Sequence, residues 1–115
     1  MKKMTALLLA VLMFLSMAAC ASKPAEESDL AYIQDKGTLV VGITDFAPMD
    51  YQNESGEWIG FDADLAKAFA DSLGVKVEFV EIVWDNKVLE LDSKTIECVW
   101  NGMTLTPEVT SAMAC

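Results

Sequence analysis

A cluster of small hydrogen-bonding residues follows a short apolar run late in the sequence. The run CVW at 98–100 leads into Asn101, Gly102, Thr104 and Thr106. Glycine lets a ligand approach the backbone closely, and the two hydroxyl groups can donate hydrogen bonds. A helix is predicted to begin just after this segment, and its first N–H groups would add positive charge at the same place. Such a segment can simply close a loop, or it can bind a small anion such as a carboxylate.

The elements that would position this cluster alternate along the chain. Apolar or alternating runs predict strands, and capping residues with helical spacing predict helices between them. The predicted strands are 38–43, 75–82 and 96–100, and the predicted helices are 29–36, 61–73, 85–93 and a helix from 107. Strands separated by helices imply right-handed crossovers and a parallel sheet. The sequence therefore predicts an α/β fold, with an open parallel sheet and helices on both of its faces.

Local signals mark where these helices begin. Ser28, Asp85 and Thr106 are the predicted N-cap residues of three of them. The longest helix, at 61–73, has a large apolar residue at every fourth position and two aspartates in its first turn. These aspartates are better explained by favourable interaction with the helix dipole than by metal binding.

The loops that follow the predicted strands bring further residues toward the cluster. In open α/β sheets, ligands bind beyond the carboxyl ends of the strands. The first such loop contains Asp45 and Phe46, and the second contains Trp84. Aromatic walls with a few polar anchors are typical of small-molecule sites. We therefore expect these residues to share a site with the segment that begins at Asn101.

Composition excludes several classes of function. The chain has 8 basic and 18 acidic residues, a net charge of −10, and no histidine. All of the basic residues are lysines. This balance argues against nucleic-acid binding, which needs clustered positive charge. Without histidine the chain offers no imidazole metal site and no Ser-His or Cys-His nucleophile pair, so we predict no metal and no cofactor.

The first 20 residues are typical of a secretory signal peptide. Lys2 and Lys3 precede an apolar stretch at 6–19, which is short for a membrane span. The ending LSMAAC resembles the lipobox of bacterial lipoproteins. This resemblance implies that Cys20 carries a lipid and anchors the exported protein to the outer face of the membrane, or in the periplasm. Residues 21–28 are predicted to be a flexible tether, and 29–115 the folded domain.

The order of motifs along the chain is specific enough to suggest a family. The segments LVVGITDFAPMDY, GEWIGFDADLAKAFADSLGVKVEFVEI, WDNK and WNGMTLTPE resemble the N-terminal half of the family 3 extracellular solute-binding proteins. This resemblance implies most of the first lobe of a two-lobed protein that closes on a polar amino acid and delivers it to the permease of an ABC importer. The chain would then be a fragment that lacks the second lobe, and we expect it to bind ligand weakly or not at all by itself.

The resemblance also implies a role for each candidate residue. Phe46 would stack on the ligand side chain, and Trp84 would form a second aromatic wall. The α-carboxylate would be held at three positions, namely Asn101, Gly102 and Thr104. Asp45 lies near the position of an acid that is associated with the ligand's amino group.

One departure from the family pattern affects the carboxylate site. Many members carry an arginine that pairs with the carboxylate at the position of Val109, and this chain has no arginine. Backbone and hydroxyl groups could hold the carboxylate, a cation could come from the remainder of the protein, or the ligand could differ from an ordinary α-amino acid. The sequence leaves these alternatives open.

A binding protein without catalysis is the function that the sequence favours. The alternatives are an enzyme on the same fold, similar to cyclohexadienyl dehydratases or lytic transglycosylases, or the ligand-binding domain of a sensor. An enzyme would need a positioned acid or base, and no carboxylate lies in a sequence context that predicts an apolar pocket. Cys98 and Cys115 would remain as thiols outside the cytoplasm, where they could form a disulfide or stay free.

Overall fold

The computed structural model describes residues 28–115. The predicted signal peptide, Cys20 and the tether up to residue 27 lie outside the described residues. The elements in chain order are helix α1 (Asp29–Lys36), strand β1 (Thr38–Ile43), strands β2 (Tyr51–Gln52) and β3 (Trp58–Ile59), helix α2 (Phe61–Leu73), strand β4 (Lys76–Glu81), a 3-10 helix (Trp84–Asn86), helix α3 (Lys87–Asp92), strand β5 (Cys98–Val99) and helix α4 (Pro107–Ala112).

The main sheet is parallel, as predicted, with β1 between β4 and β5. Leu39, Val41 and Ile43 are at most 2% exposed on one face of β1. On the other face of β1, the side chains of Ile82 and Ile96 cover Gly42. The central strand is therefore covered on both faces, which explains why its sequence is almost continuously apolar.

Helix α2 packs on the sheet through its small residues. Ala63, Ala66 and Ala70 are at most 1% exposed, whereas Phe61 and Leu65 are 66% and 47% exposed. The apolar repeat correctly predicted a helix, but its large side chains point mostly away from the sheet. Alanines on the buried face allow the helix to lie close to β1.

Two of the three predicted caps are present. The Ser28 and Thr106 hydroxyls accept hydrogen bonds from the first turns of α1 and α4. The prediction for Asp85 was wrong, because this residue lies inside the 3-10 helix, and Asn86 precedes α3 without a side-chain cap. Strand β5 is also shorter than the predicted 96–100, although Trp100 still donates to the Gly42 carbonyl at 3.0 Å.

Glu97 joins α1 to the central strand. Its carboxylate accepts a hydrogen bond from the Val40 amide at 2.6 Å and forms an ion pair with Lys36. The Glu97 side chain is 7% exposed and that of Lys36 is 33% exposed. The contacts of this largely buried carboxylate should therefore contribute more to the free energy of unfolding than those of the lysine.

Replacing Glu97 with alanine should lower the free energy of unfolding by about 2–3 kcal/mol, because the Val40 amide and the Lys36 ammonium lose their shared partner. Lys36→Met is the matched control and should cost less than about 1 kcal/mol, because Glu97 keeps its hydrogen bond from the Val40 amide and the lost ion pair lies at the partly exposed Lys36. Urea unfolding followed by tryptophan fluorescence measures both. Equal losses in the two variants would contradict the assigned importance of the Glu97–Val40 bond.

Candidate ligand-binding site

The loops after β1 and β5 touch through Phe46 and Gly102. A Cβ atom added to Gly102 would lie 2.9 Å from Cε1 of Phe46, closer than real Cβ contacts. The absence of a side chain at Gly102 therefore allows the phenylalanine ring to lie against the backbone. Phe46 as a whole residue remains 51% exposed, so a large part of its surface is open to solvent or to a ligand.

A second contact between the same loops involves Asn101. Its Nδ2 donates to the hydroxyl of Thr44. Its Oδ1 is buried and has no hydrogen-bond partner within residues 28–115. A buried acceptor without a donor is unfavourable, and a donor from a ligand or a water molecule could satisfy it.

A cavity of about 340 Å³ lies beside these loops. Three predicted site residues line it: Trp84, Gly102 and Thr104. The remaining lining residues are Lys87, Val88, Met103, Thr106, Glu108 and Val109. Phe46 and Asn101 lie next to Gly102 but do not line the cavity, and Asp45 is exposed outside it.

Helix α4 contributes less to an anion site than its sequence suggested. The helix has six residues, and the Thr106 hydroxyl accepts the Val109 amide hydrogen at 3.3 Å. That amide is therefore already used within the helix. The side chain of Val109 is 8% exposed, so the position where the family pattern leads us to expect an arginine is largely buried here.

Lys87 and Glu108 are the charged residues of the cavity that sequence reasoning missed. Lys87 begins α3, and its ammonium lies 4.7 Å from the centre of the Trp84 ring. Residues three apart in a helix share a face, so the spacing from Trp84 could have indicated Lys87. The signal was weak because a lysine at the start of a helix is usually a solvated surface residue.

Asp50 corrects the expectation that no carboxylate would lie in an apolar environment. It is fully buried, and neither of its oxygens has a well-formed hydrogen bond within residues 28–115. Burial, together with the negative charge of Asp62, raises the pKa of Asp50 to about 6, although the Ala63 backbone amide opposes the shift. Asp50 is enclosed and does not line the cavity.

The two cysteines lie away from this site. Cys98 and Cys115 are free thiols in the structure, so the disulfide that the sequence allowed is not formed, although both line a second cavity of about 410 Å³. Burial and the neighbouring Glu97 raise the pKa of Cys98 to about 11, which disfavours its thiolate. Within residues 28–115, no group of three or more acidic or cysteine residues is arranged to hold a metal ion. The helices of the same segment are too short or too polar to span a membrane.

Comparison with known proteins identifies the family of this chain. The family model of the bacterial extracellular solute-binding proteins, family 3, matches residues 39–114. The chain belongs to this family. As a family 3 solute-binding protein, it has its candidate cavity at the carboxyl edge of the sheet, where open α/β folds bind ligands.

The curated relatives include both binding proteins and an enzyme. Cyclohexadienyl dehydratase from Pseudomonas aeruginosa is 35% identical over 95 residues, which are 82% of this chain and 35% of that protein. The L-cystine-binding protein TcyJ from Escherichia coli is 34% identical over 85 residues, which are 73% of this chain and 32% of that protein. The chain thus spans about a third of the length of these relatives.

Solved structures support the same assignment. An ancestral cationic amino acid solute-binding protein, AncCDT-1, is 45% identical with a TM-score of 0.69, over 73% of this chain and 37% of that chain. The arginine-bound form of domain 1 from TmArgBP is 38% identical with a TM-score of 0.65, over 70% of this chain and 64% of that chain. The described residues are therefore similar to a large part of domain 1 from TmArgBP.

Proposed function

We propose that this chain contributes the first ligand-contacting lobe of an exported protein that captures an amino acid for an ABC importer. The cavity lined by Trp84, Gly102 and Thr104, with the exposed ring of Phe46 beside it, is the observation that carries this proposal. At the carboxyl edge of the sheet it combines the aromatic ring of Trp84, the backbone of Gly102, which carries no side chain, and the hydroxyl group of Thr104. Such a site can desolvate a small molecule while fixing it with a few polar contacts.

The affinity of the isolated chain should be low, because the cavity opens to solvent where a closed binding protein would present its second lobe. The existence of an arginine-bound form of domain 1 of TmArgBP favours weak binding by a first lobe alone over the absence of binding that the sequence also allowed. We expect dissociation constants on the order of 1 mM for the preferred amino acid. Titration of the purified chain with each of the common amino acids and cystine, followed by NMR, measures them. Shifts with none of these ligands, up to about 50 mM, would overturn the proposal.

Phe46→Ala should weaken binding of the preferred amino acid by about tenfold, because the loss of an aromatic wall costs about 1 kcal/mol or more. Phe61→Ala is the matched control, since Phe61 is a similarly exposed phenylalanine on α2. The same NMR titration compares the two variants. Equal affinities in Phe46→Ala and the unmodified chain would remove Phe46 from the site.

A dehydratase is the second candidate function, and the likeness to the Pseudomonas aeruginosa enzyme favours it. Proton transfer requires an acid or base in contact with the substrate. The carboxyl group with a raised pKa, Asp50, is enclosed, which favours binding without catalysis for the part of the chain described here. Incubation with a cyclohexadienyl acid should produce no aromatic product above the uncatalysed rate, as followed by ultraviolet absorbance.

Attachment to the membrane through a lipid on Cys20 is the localisation that we propose. Cells that express the chain and are fed an alkyne-tagged fatty acid should label it. Cys20→Ser should abolish the label, whereas Cys98→Ser, a control at a half-buried cysteine of the folded domain, should keep it. Equal labelling of the two variants would contradict a lipid at Cys20.

A further inference from the structure

Lys87 brings an ammonium group to the cavity that its neighbours do not neutralise. In residues 28–115, Lys36 and Lys67 form ion pairs with carboxylates, whereas Lys76, Lys87 and Lys94 form none. Of these three unpaired lysines, Lys87 lines the cavity. Its Nζ donates to the Trp84 carbonyl at 3.4 Å and lies 4.7 Å from the centre of the Trp84 ring. These two contacts restrain the ammonium beside the aromatic wall, and the side chain is half-buried.

The groups around this ammonium suit a carboxylate. An ammonium has three N–H donors, and one carbonyl contact leaves two of them for another acceptor. Gly102, Thr104 and Thr106 line the same cavity. The Thr106 oxygen accepts from Val109, but its own hydrogen remains available to donate. The cavity therefore offers a cation and two hydroxyl donors to a single anionic group.

We propose that Lys87 binds the carboxylate of the ligand and thereby replaces the arginine that the family pattern leads us to expect at Val109. This inference rests on the proposed function, because it assigns a role within the same cavity. Val109 is largely buried and apolar, so it cannot serve the carboxylate. Lysine acts as a point charge rather than a planar fork, so the carboxylate is held by one cation and the neighbouring hydroxyls.

Glu108 defines the class of ligand further. It lines the same cavity as Lys87 but forms no ion pair with it. A cation and an anion that share a cavity without pairing complement a zwitterion, whose carboxylate faces Lys87 and whose ammonium faces Glu108. A ligand with carboxylates but no ammonium would meet Glu108 with like charge. The two charges therefore suit the amino acid of the proposed function.

Three variants of the purified chain test the assignment. Lys87→Met keeps the aliphatic stem on Trp84 and removes the charge, and Lys87→Arg keeps the charge. Lys76→Met removes the same charge from the start of β4, at the opposite end of the sheet. Each variant is titrated by NMR with the amino acid that binds the unmodified chain best, and with the amide of that amino acid, which lacks the carboxylate charge.

We expect Lys87→Met to weaken binding of the amino acid about tenfold, with Lys87→Arg and Lys76→Met within about threefold of the unmodified chain. The preference for the amino acid over its amide should fall in Lys87→Met alone. Unchanged affinity in Lys87→Met, or equal losses in Lys87→Met and Lys87→Arg, would overturn the role of Lys87 while leaving the proposed function intact. Absence of binding by the unmodified chain would instead overturn the proposed function, and this inference with it.

Discussion

Replacing Gly60 with alanine should lower the free energy of unfolding by about 4 kcal/mol. Gly60 precedes α2 with φ 116°, a conformation that side chains rarely adopt. An added Cβ would also collide with the backbone of the loop between β1 and β2, at the Met49 carbonyl and 2.7 Å from the Pro48 carbonyl oxygen. Because these are backbone atoms, rotation of a side chain cannot relieve the collision. Urea unfolding of the purified chain measures the loss.

Gly56→Ala separates backbone strain from collision. Gly56 has φ 78° but nothing within 4 Å of an added Cβ, so this variant should lose only about 1 kcal/mol. Neither substitution removes a backbone N–H or carbonyl group, so both variants keep their backbone hydrogen-bonding groups. Equal losses in the two variants would show that the close approach of the β1–β2 loop to the start of α2 does not constrain the fold.

Replacing Asp50 with asparagine should stabilise the chain by about 2 kcal/mol at neutral pH. The folded pKa of Asp50 is raised from 3.8 to about 6, so the folded state holds its proton more tightly than the unfolded state. Stability from this group is therefore present below pH 3.8 and is lost as the pH rises through about 6. Asparagine is neutral throughout and avoids the cost of a buried charge.

The pH dependence distinguishes this effect from a general gain in packing. The difference in unfolding free energy between Asp50→Asn and the unmodified chain should grow between about pH 4 and pH 6 and then level off. Asp45→Asn is the control for loss of an aspartate, because Asp45 is exposed and five residues away, and its unfolding free energy should stay within about 0.5 kcal/mol of that of the unmodified chain. A constant difference for Asp50→Asn across this range would contradict a raised pKa.

The arrangement of the candidate site was only partly accessible from the sequence. Trp84, Gly102 and Thr104 were predicted from their positions after strands, and they line one cavity. Their roles in binding remain predictions until a ligand is found. Lys87 was overlooked because its importance depends on the rotation of α3 relative to the loop after β5. Asp45 was included because it follows β1, yet it stays exposed outside the cavity.

The sequence by itself determined the order of helices and strands and the parallel sheet. These features follow from local signals: runs of β-branched residues, capping hydroxyls such as Thr106, and glycines that end helices. The same signals placed the candidate site at the carboxyl edge, because parallel strands direct their following loops to one side.

Only the tertiary structure decided which residues are buried and how burial shifts the pKa of a carboxyl group. The alanine face of α2 packs on the sheet, because a close approach of helix and strand favours small side chains. Phe61 and Leu65 on α2 remain exposed. Asp50 acquires its raised pKa from burial and from Asp62, which lies on a different element. Contacts between residues far apart in the sequence set desolvation and charge interactions, and local residue patterns do not record those contacts.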